Sequence, residues 1–173
     1  MSEEKTGPGA IILGWWGQSI AMRNSGAARA LASRLRRDTA IEILCEPAVH
    51  ELARKLGLNS HHRAEQLLRI VRVLAEFREN SADTLARRLG GAEPVLSNAR
   101  FQRLMRSEGE ALTIGLIRAA RMLGPVETRR CHIARLGEDL WFWDDRTRMR
   151  WSFEYFHVPA PDARPSIPTE IEA

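Results

Sequence analysis

Four side-chain pairs in this chain could do chemistry: His61 with His62, Cys131 with His132, Glu138 with Asp139, and Asp144 with Asp145. Spacing argues against each. Neighbouring residues on a helix point about 100° apart, and no carboxylate or third histidine stands at ligand spacing from His61 and His62. The same divergence separates Cys131 from His132, and a lone cysteine usually behaves as a small hydrophobe. The paired acids have no partner acids at the spacing of a Mg²⁺ site. A glycine-rich phosphate loop and a GxSxG turn are both missing. The expectation is a protein that is not an enzyme and needs no metal or cofactor.

What remains is arginine. Within SNARFQRLMRSEGEALTIGLIRAARML, residues 97 to 123, Arg100, Arg103 and Arg106 recur every third position. At roughly 100° per residue this keeps them away from the stripe formed by Phe101, Leu104 and Met105. Arg118 and Arg121 repeat the spacing. Two further clusters, Arg34, Arg36 and Arg37, then Arg146, Arg148 and Arg150, fall on helix ends or faces. Guanidinium forks pair with phosphate oxygens at any working pH. Rows of them bind a nucleic-acid backbone without reading its sequence. An ordinary solvated helix face accounts for the rows equally well, and the helix dipole already favours arginine in a last turn.

Of the 26 basic residues only Lys5 and Lys55 are lysine, and the formal net charge is +4 with a sequence pI of about 9.8. Codon bias produces the same excess of arginine, so position carries the argument. The 173 residues are 44% hydrophobic and 28% charged, as in a water-soluble globular chain with a sizeable core. The apolar run of Ala10 to Leu13 with Trp15 and Trp16 is too short to span a bilayer, and Glu3 and Glu4 stand where a signal peptide is basic. A cytoplasmic protein with no membrane association is expected, in which Cys45 and Cys131 are free, buried thiols.

The elements that must hold these side chains read as helices throughout. The spacing predicts a core stripe of Leu13, Trp16 and Ile20 with Trp15 at its edge, then a helix from about Ala27 to Arg37. Pro47 opens a third helix that Gly57 closes. Asn59 or Ser60 caps a long central one, His61 to Arg78, lined by Leu67, Ile70, Val71, Leu74 and Phe77. Ser81 opens a short helix ending at Gly90 and Gly91. Ser97 caps the next, a Ser107 and Glu110 capping box restarts it, and Gly124 with Pro125 ends it. Thr128 caps a helix through Leu140, and the last runs from Arg146 to His157, packing Trp151, Tyr155 and Phe156. No strand-like alternation persists. The tryptophans fit the core better than a base-stacking surface. The expected fold is all-α: a single helical bundle over residues 9 to 158, of about seven to nine helices. Residues 1 to 8 should be loose, and the Pro-rich tail, 159 to 173, disordered.

The order of these features resembles a known family. The tryptophan-bearing first helix, ALASRLRRD, LARRLGG, LSNARFQRLMRSEGE and LWFWDDRTRMRWSFEYF together are similar to the CasB family, the small subunit of the type I-E CRISPR surveillance complex, Cascade. The likeness covers about residues 11 to 157. It implies a non-catalytic, all-helical subunit lying as a head-to-tail pair along the complex, against the large subunit and the guide-bound backbone subunits. The partners implied are those subunits, guide RNA and target DNA. Basic residues would stabilise the R-loop by holding the displaced non-target strand and part of the target strand. Arg37, Arg106, Arg118, Arg146 and Arg148 fall where the family's basic surface is expected, and Arg63 does so more loosely. The alternatives are a structural adaptor whose arginines meet partner acids, and a helical transcription regulator, for which no base-reading helix-turn-helix stands out.

Overall fold

The computed structural model describes residues 6–22, 24–58 and 60–159. The expected disordered tail, apart from Pro159, and the first five residues of the expected loose terminus lie outside these. Ten α-helices and two 3₁₀ turns build the described part around one hydrophobic core. The all-α expectation holds.

Helix α1 spans Pro8–Ser19, with proline in its first turn, so the expected loose terminus gives way to helix by residue 8. Its buried side is Ile12, Trp15 and Trp16, continued by Ile20. Trp15 was expected at an edge, yet it is fully enclosed, with Nε1 donating to Ala48 O at 2.8 Å. Helix α2 is Gly26–Arg37, capped by Ser25 and packed through Ala28, Leu31 and Leu35. Helix α3, Ala40–Leu44, was not foreseen, although Thr39 and Glu42 form a reciprocal capping box in front of it. Helix α4, Pro47–Lys55, follows expectation, and Gly57 beyond it takes φ +67°.

The central helix is shorter than its apolar pattern. A 3₁₀ turn, His61–Arg63, leads into α5, Ala64–Leu74, which packs against α2, α3 and α4. Phe77 is buried as expected but lies outside the helix, which stops where a buried acid, Glu76, gathers arginines. The chain then pairs as β1, Glu79–Asn80, in parallel with β2, Arg130–Cys131. Strands of two residues are too short to show alternation in a sequence. Helix α6, Leu85–Leu89, is capped by Thr84 rather than Ser81.

Helices α7 (Asn98–Arg106) and α8 (Gly109–Arg121) follow, then a 3₁₀ turn, Val126–Thr128. Helix α9, Ile133–Trp141, begins later than expected because His132, not Thr128, caps it: Nδ1 accepts from Arg135 N at 3.2 Å. Helix α9 lies tightly on α1. A Cβ on Gly137 would stand 2.6 Å from Ile12 Cγ2, which explains a glycine inside a helix. Helix α10, Asp145–Tyr155, is capped by Asp144 and buries Trp151 and Tyr155, whereas Phe156, expected in the core, is 55% exposed. Cys131 is buried as expected and Cys45 is exposed, a correction that follows from its place between two short helices at the surface.

The end of α10 is threaded into the middle of the chain. Tyr155 O accepts from Gly91 N at 2.8 Å, and a Cβ on Gly90 would fall 1.9 Å from that oxygen, so only glycine fits. The Tyr155 hydroxyl donates to Leu96 O at 2.5 Å, and its ring stacks on Phe101, centroids 4.0 Å apart.

Candidate nucleic-acid interface

The arginine row on α7 stands on a fixed base. Ser97 Oγ accepts from Arg100 N at 3.4 Å, while Phe101 and Leu104 are buried, the first against Tyr155. Arg100, Arg103 and Arg106 are exposed on the other side. Helix α8 approaches closely at Gly115, where a Cβ would meet Leu104 Cδ1 at 2.9 Å. Arg118 is exposed on α8, and Arg100 Nη1 reaches 4.0 Å from Met122 Sδ just past the end of that helix. The side chains of Arg103, Arg106 and Arg118 make no hydrogen bond or ion pair with a described residue. The expected Ser107 and Glu110 capping box is not formed. Ser107 Oγ donates to Arg103 O at 2.8 Å, and α8 starts from Gly109 at φ +57°, with Glu108 at the cap position making no side-chain bond.

Buried Arg69 of α5 sets the start of α8. Its guanidinium donates to Thr113 Oγ1 at 3.1 Å and to Gly109 O at 3.2 Å, and burial lowers its pKa, with Glu65 opposing. Nothing in the 3.6-residue pattern marks this arginine as the seat of α8, because Thr113 and Gly109 lie 44 and 40 residues away.

The other candidate arginines divide by what holds them. Arg34 forks onto Glu46 at 2.5 and 3.2 Å, a bond that raises its pKa. Arg36 is half-buried and donates to Ala75 O at 3.0 Å. Arg121 donates twice to Glu76, at 3.1 and 2.8 Å. Arg148 meets Asp145 at 3.0 Å and Glu108 at 3.6 Å. Arg150 pairs with Asp139, which also accepts from Trp151 Nε1 at 2.7 Å. Burial raises the Asp139 pKa, and the Arg150 charge opposes it. Arg37 is exposed without a described partner, Arg63 lies 5.3 Å over the Trp141 ring, and Arg146 is exposed.

Three of the four candidate chemical pairs are occupied structurally, whereas His61 and His62 are exposed on their 3₁₀ turn. Cys131 is buried, which pushes its thiol pKa up, and His132 Nδ1 is engaged as a helix cap. Asp139 and Asp144 hold α10. Among the described residues no group of three or more His, Cys, Asp or Glu could hold a metal ion, and no helix is long and apolar enough to cross a membrane.

The fold and surface define a helical protein in which Arg103, Arg106 and Arg118, on α7 and α8, are exposed with no partner among the described residues. Residues 29–156 match the family described as CRISPR-associated protein Cse2, and the chain belongs to that family. This is the family that the ordered sequence motifs resemble. The fold is also similar to that of a chain from a solved structure titled "Crystal structure of E. coli Cascade bound to a PAM-containing dsDNA target (32-nt spacer) at 3.20 angstrom resolution", with 18% identity and a TM-score of 0.53 over 84% of this chain and 91% of that one. No curated protein sequence matches the chain.

Proposed function

We propose that this chain is the non-catalytic small subunit of a type I-E Cascade complex and binds nucleic acid without sequence specificity, holding the displaced strand of the R-loop. The observation that carries this reading is the set of exposed arginines with no partner among the described residues, Arg103, Arg106 and Arg118, beside Arg100, on two adjoining helices. Backbone contacts of this kind add affinity and no base information. Exchange of DNA pairs for RNA–DNA pairs is nearly balanced, so a few such contacts decide whether the open state persists. Sequence choice then rests with the guide RNA, and a cytoplasmic location follows from that role.

A second face fits the protein neighbours the reading requires. Met149, Phe153 and Phe156 recur along the outside of α10 at helical spacing, Met149 60% and Phe156 55% exposed, with Phe142 and Val158 exposed nearby. Apolar side chains grouped in this way suit a subunit contact. The large subunit, a guide-bound backbone subunit and the second copy of a head-to-tail pair are its proposed occupants.

The test is the R-loop lifetime of the assembled complex carrying Arg103→Glu, Arg106→Glu and Arg118→Glu. A shortened lifetime with assembly intact supports the reading. An unchanged lifetime favours the structural adaptor.

A further inference from the structure

A small basic cavity lies away from the α7 row, where α2 meets the segment after α5. Its volume is about 320 Å³, and Arg29, Arg36, Arg78, Val126 and Glu127 line it. Arg29 and Arg36 are seven residues apart on α2, two turns along one face. Two of the guanidinium groups are fixed from behind by helix ends. Arg36 Nη1 donates to Ala75 O, just past α5, at 3.0 Å, and Arg78 Nη1 donates to Ile20 O, just past α1, at 3.0 Å. Helix C-termini carry partial negative charge, so each carbonyl orients a cation and leaves the rest of its fork free.

The charges here are not balanced. Glu76, the buried acid nearby, is already committed to Arg121 and Arg129. Among the described lining residues, one acid, Glu127, shares the cavity with three arginines. Burial lowers the pKa of Arg36, with Glu76 and more weakly Glu127 opposing, and the like charges of Arg78 and Arg129 adding to the effect. Guanidinium groups crowded in this way are relieved by an anion.

We propose that this cavity is a phosphate-binding site, with Arg29, Arg36 and Arg78 as its ligands. A carboxylate saturates a single fork, whereas the several oxygens of a phosphate group can accept from all three arginines at once. The volume stands at the small end of ligand cavities, which suits one phosphate group better than a base. The phosphate could come from a nucleic-acid backbone or from a free anion. The first source rests on the proposed function; the second does not.

Calorimetric titration of the full chain with inorganic phosphate, and separately with a ten-nucleotide single strand, tests the site. Arg29 is exposed, with no described side-chain partner, so Arg29→Glu should fold normally, as its melting curve will show. The expected result is phosphate binding that Arg29→Glu weakens roughly tenfold or more and Glu127→Gln strengthens, since one variant reverses a ligand charge and the other removes an opposing one. Strand binding weakened by Arg29→Glu as well supports a backbone source. Strand binding that ignores Arg29, with phosphate still dependent on it, supports a free anion. If the strand does not bind at all while phosphate does, the site stands and the strand-holding reading falls. Phosphate affinity equal in wild type and Arg29→Glu overturns the site, as does an Arg29-dependent response to an oligoglutamate peptide in place of phosphate.

Discussion

Arg121 Nη2 stands 2.8 Å from Glu76 Oε1, tying the last turn of α8 to the second residue past the end of α5. Arg129 holds the other carboxylate oxygen, and Glu76 is 1% exposed. One buried acid therefore sets both where the central helix stops and where the arginine-bearing α8 ends.

Replacing Glu76 with Ala leaves Arg129 nearly enclosed without its counter-charge. Breaking a buried pair from one side costs about 3 kcal/mol or more. Urea denaturation should show that loss, whereas Arg121→Ala, which removes the more exposed partner, should cost less.

The same substitution should have opposite signs at two glycines. Gly137→Ala drives a Cβ to 2.6 Å from Ile12 Cγ2, overpacking the α1 and α9 contact by about 1–3 kcal/mol. Gly14→Ala, exposed on α1 with nothing within 4 Å, should stabilise by about 0.5–1 kcal/mol. Thermal melts of the two variants compare them directly.

Arginines on the two kinds of site should separate stability from binding. Arg103→Glu with Arg106→Glu should leave stability within about 0.5 kcal/mol, and should flatten the salt dependence of single-strand binding by about 1.4 logarithmic units per decade of salt. Arg150→Ala should cost stability instead, by stranding buried Asp139. Burial already raises the Asp139 pKa, and losing Arg150 raises it further. A raised folded pKa means the native state holds its proton longer, so the deficit of Arg150→Ala should grow as pH rises through that value.

Acid should weaken two helix starts. Asp144 caps α10 and Glu42 closes the box at α3, and hydrogen bonds from Thr147 N and Thr39 N respectively hold their pKa values below the ordinary 3.8 and 4.5. A depressed folded pKa contributes stability above the ordinary value that is lost as pH falls through the folded one. Asp144→Asn keeps a competent cap and loses the titration. Its unfolding midpoint should therefore change less than that of wild type between neutral pH and pH near 3.

Thiol reactivity should be one-sided. Cys45 is exposed and should react with a maleimide in the native state, while Cys131, enclosed and with its pKa pushed up, should react only on unfolding. Mass spectrometry before and after denaturant counts the labelled sites.

Local patterns were legible wherever they decided the outcome. Of the stripe Val49, Leu52 and Leu56 the first two are buried and Leu56 is half-buried, and Leu67, Ile70, Val71 and Leu74 are buried as their spacing requires. The Thr39 and Glu42 box is equally readable in the sequence, whereas Ser107 and Glu110 look like a box and are not one, because positive-φ Gly109 starts the helix. The end of α5 was hidden, since it depends on Arg129 and Arg121, 53 and 45 residues away. The arginine rows share that limit. Spacing shows that Arg34, Arg103 and Arg150 leave the core stripe, but Glu46 and Asp139, which claim two of them, are brought near only by the fold.

The stack of Tyr155 on Phe101 bears on timing during synthesis. The ring and hydroxyl that seat α7, and the carbonyl that receives the chain at Gly91, belong to nearly the last described helical residue. A ribosome must deliver the chain through Tyr155 before Arg100, Arg103 and Arg106 acquire a rigid support. The arginine surface thus matures after the other described helices have been made, and a product truncated before Tyr155 would not display it in its native form.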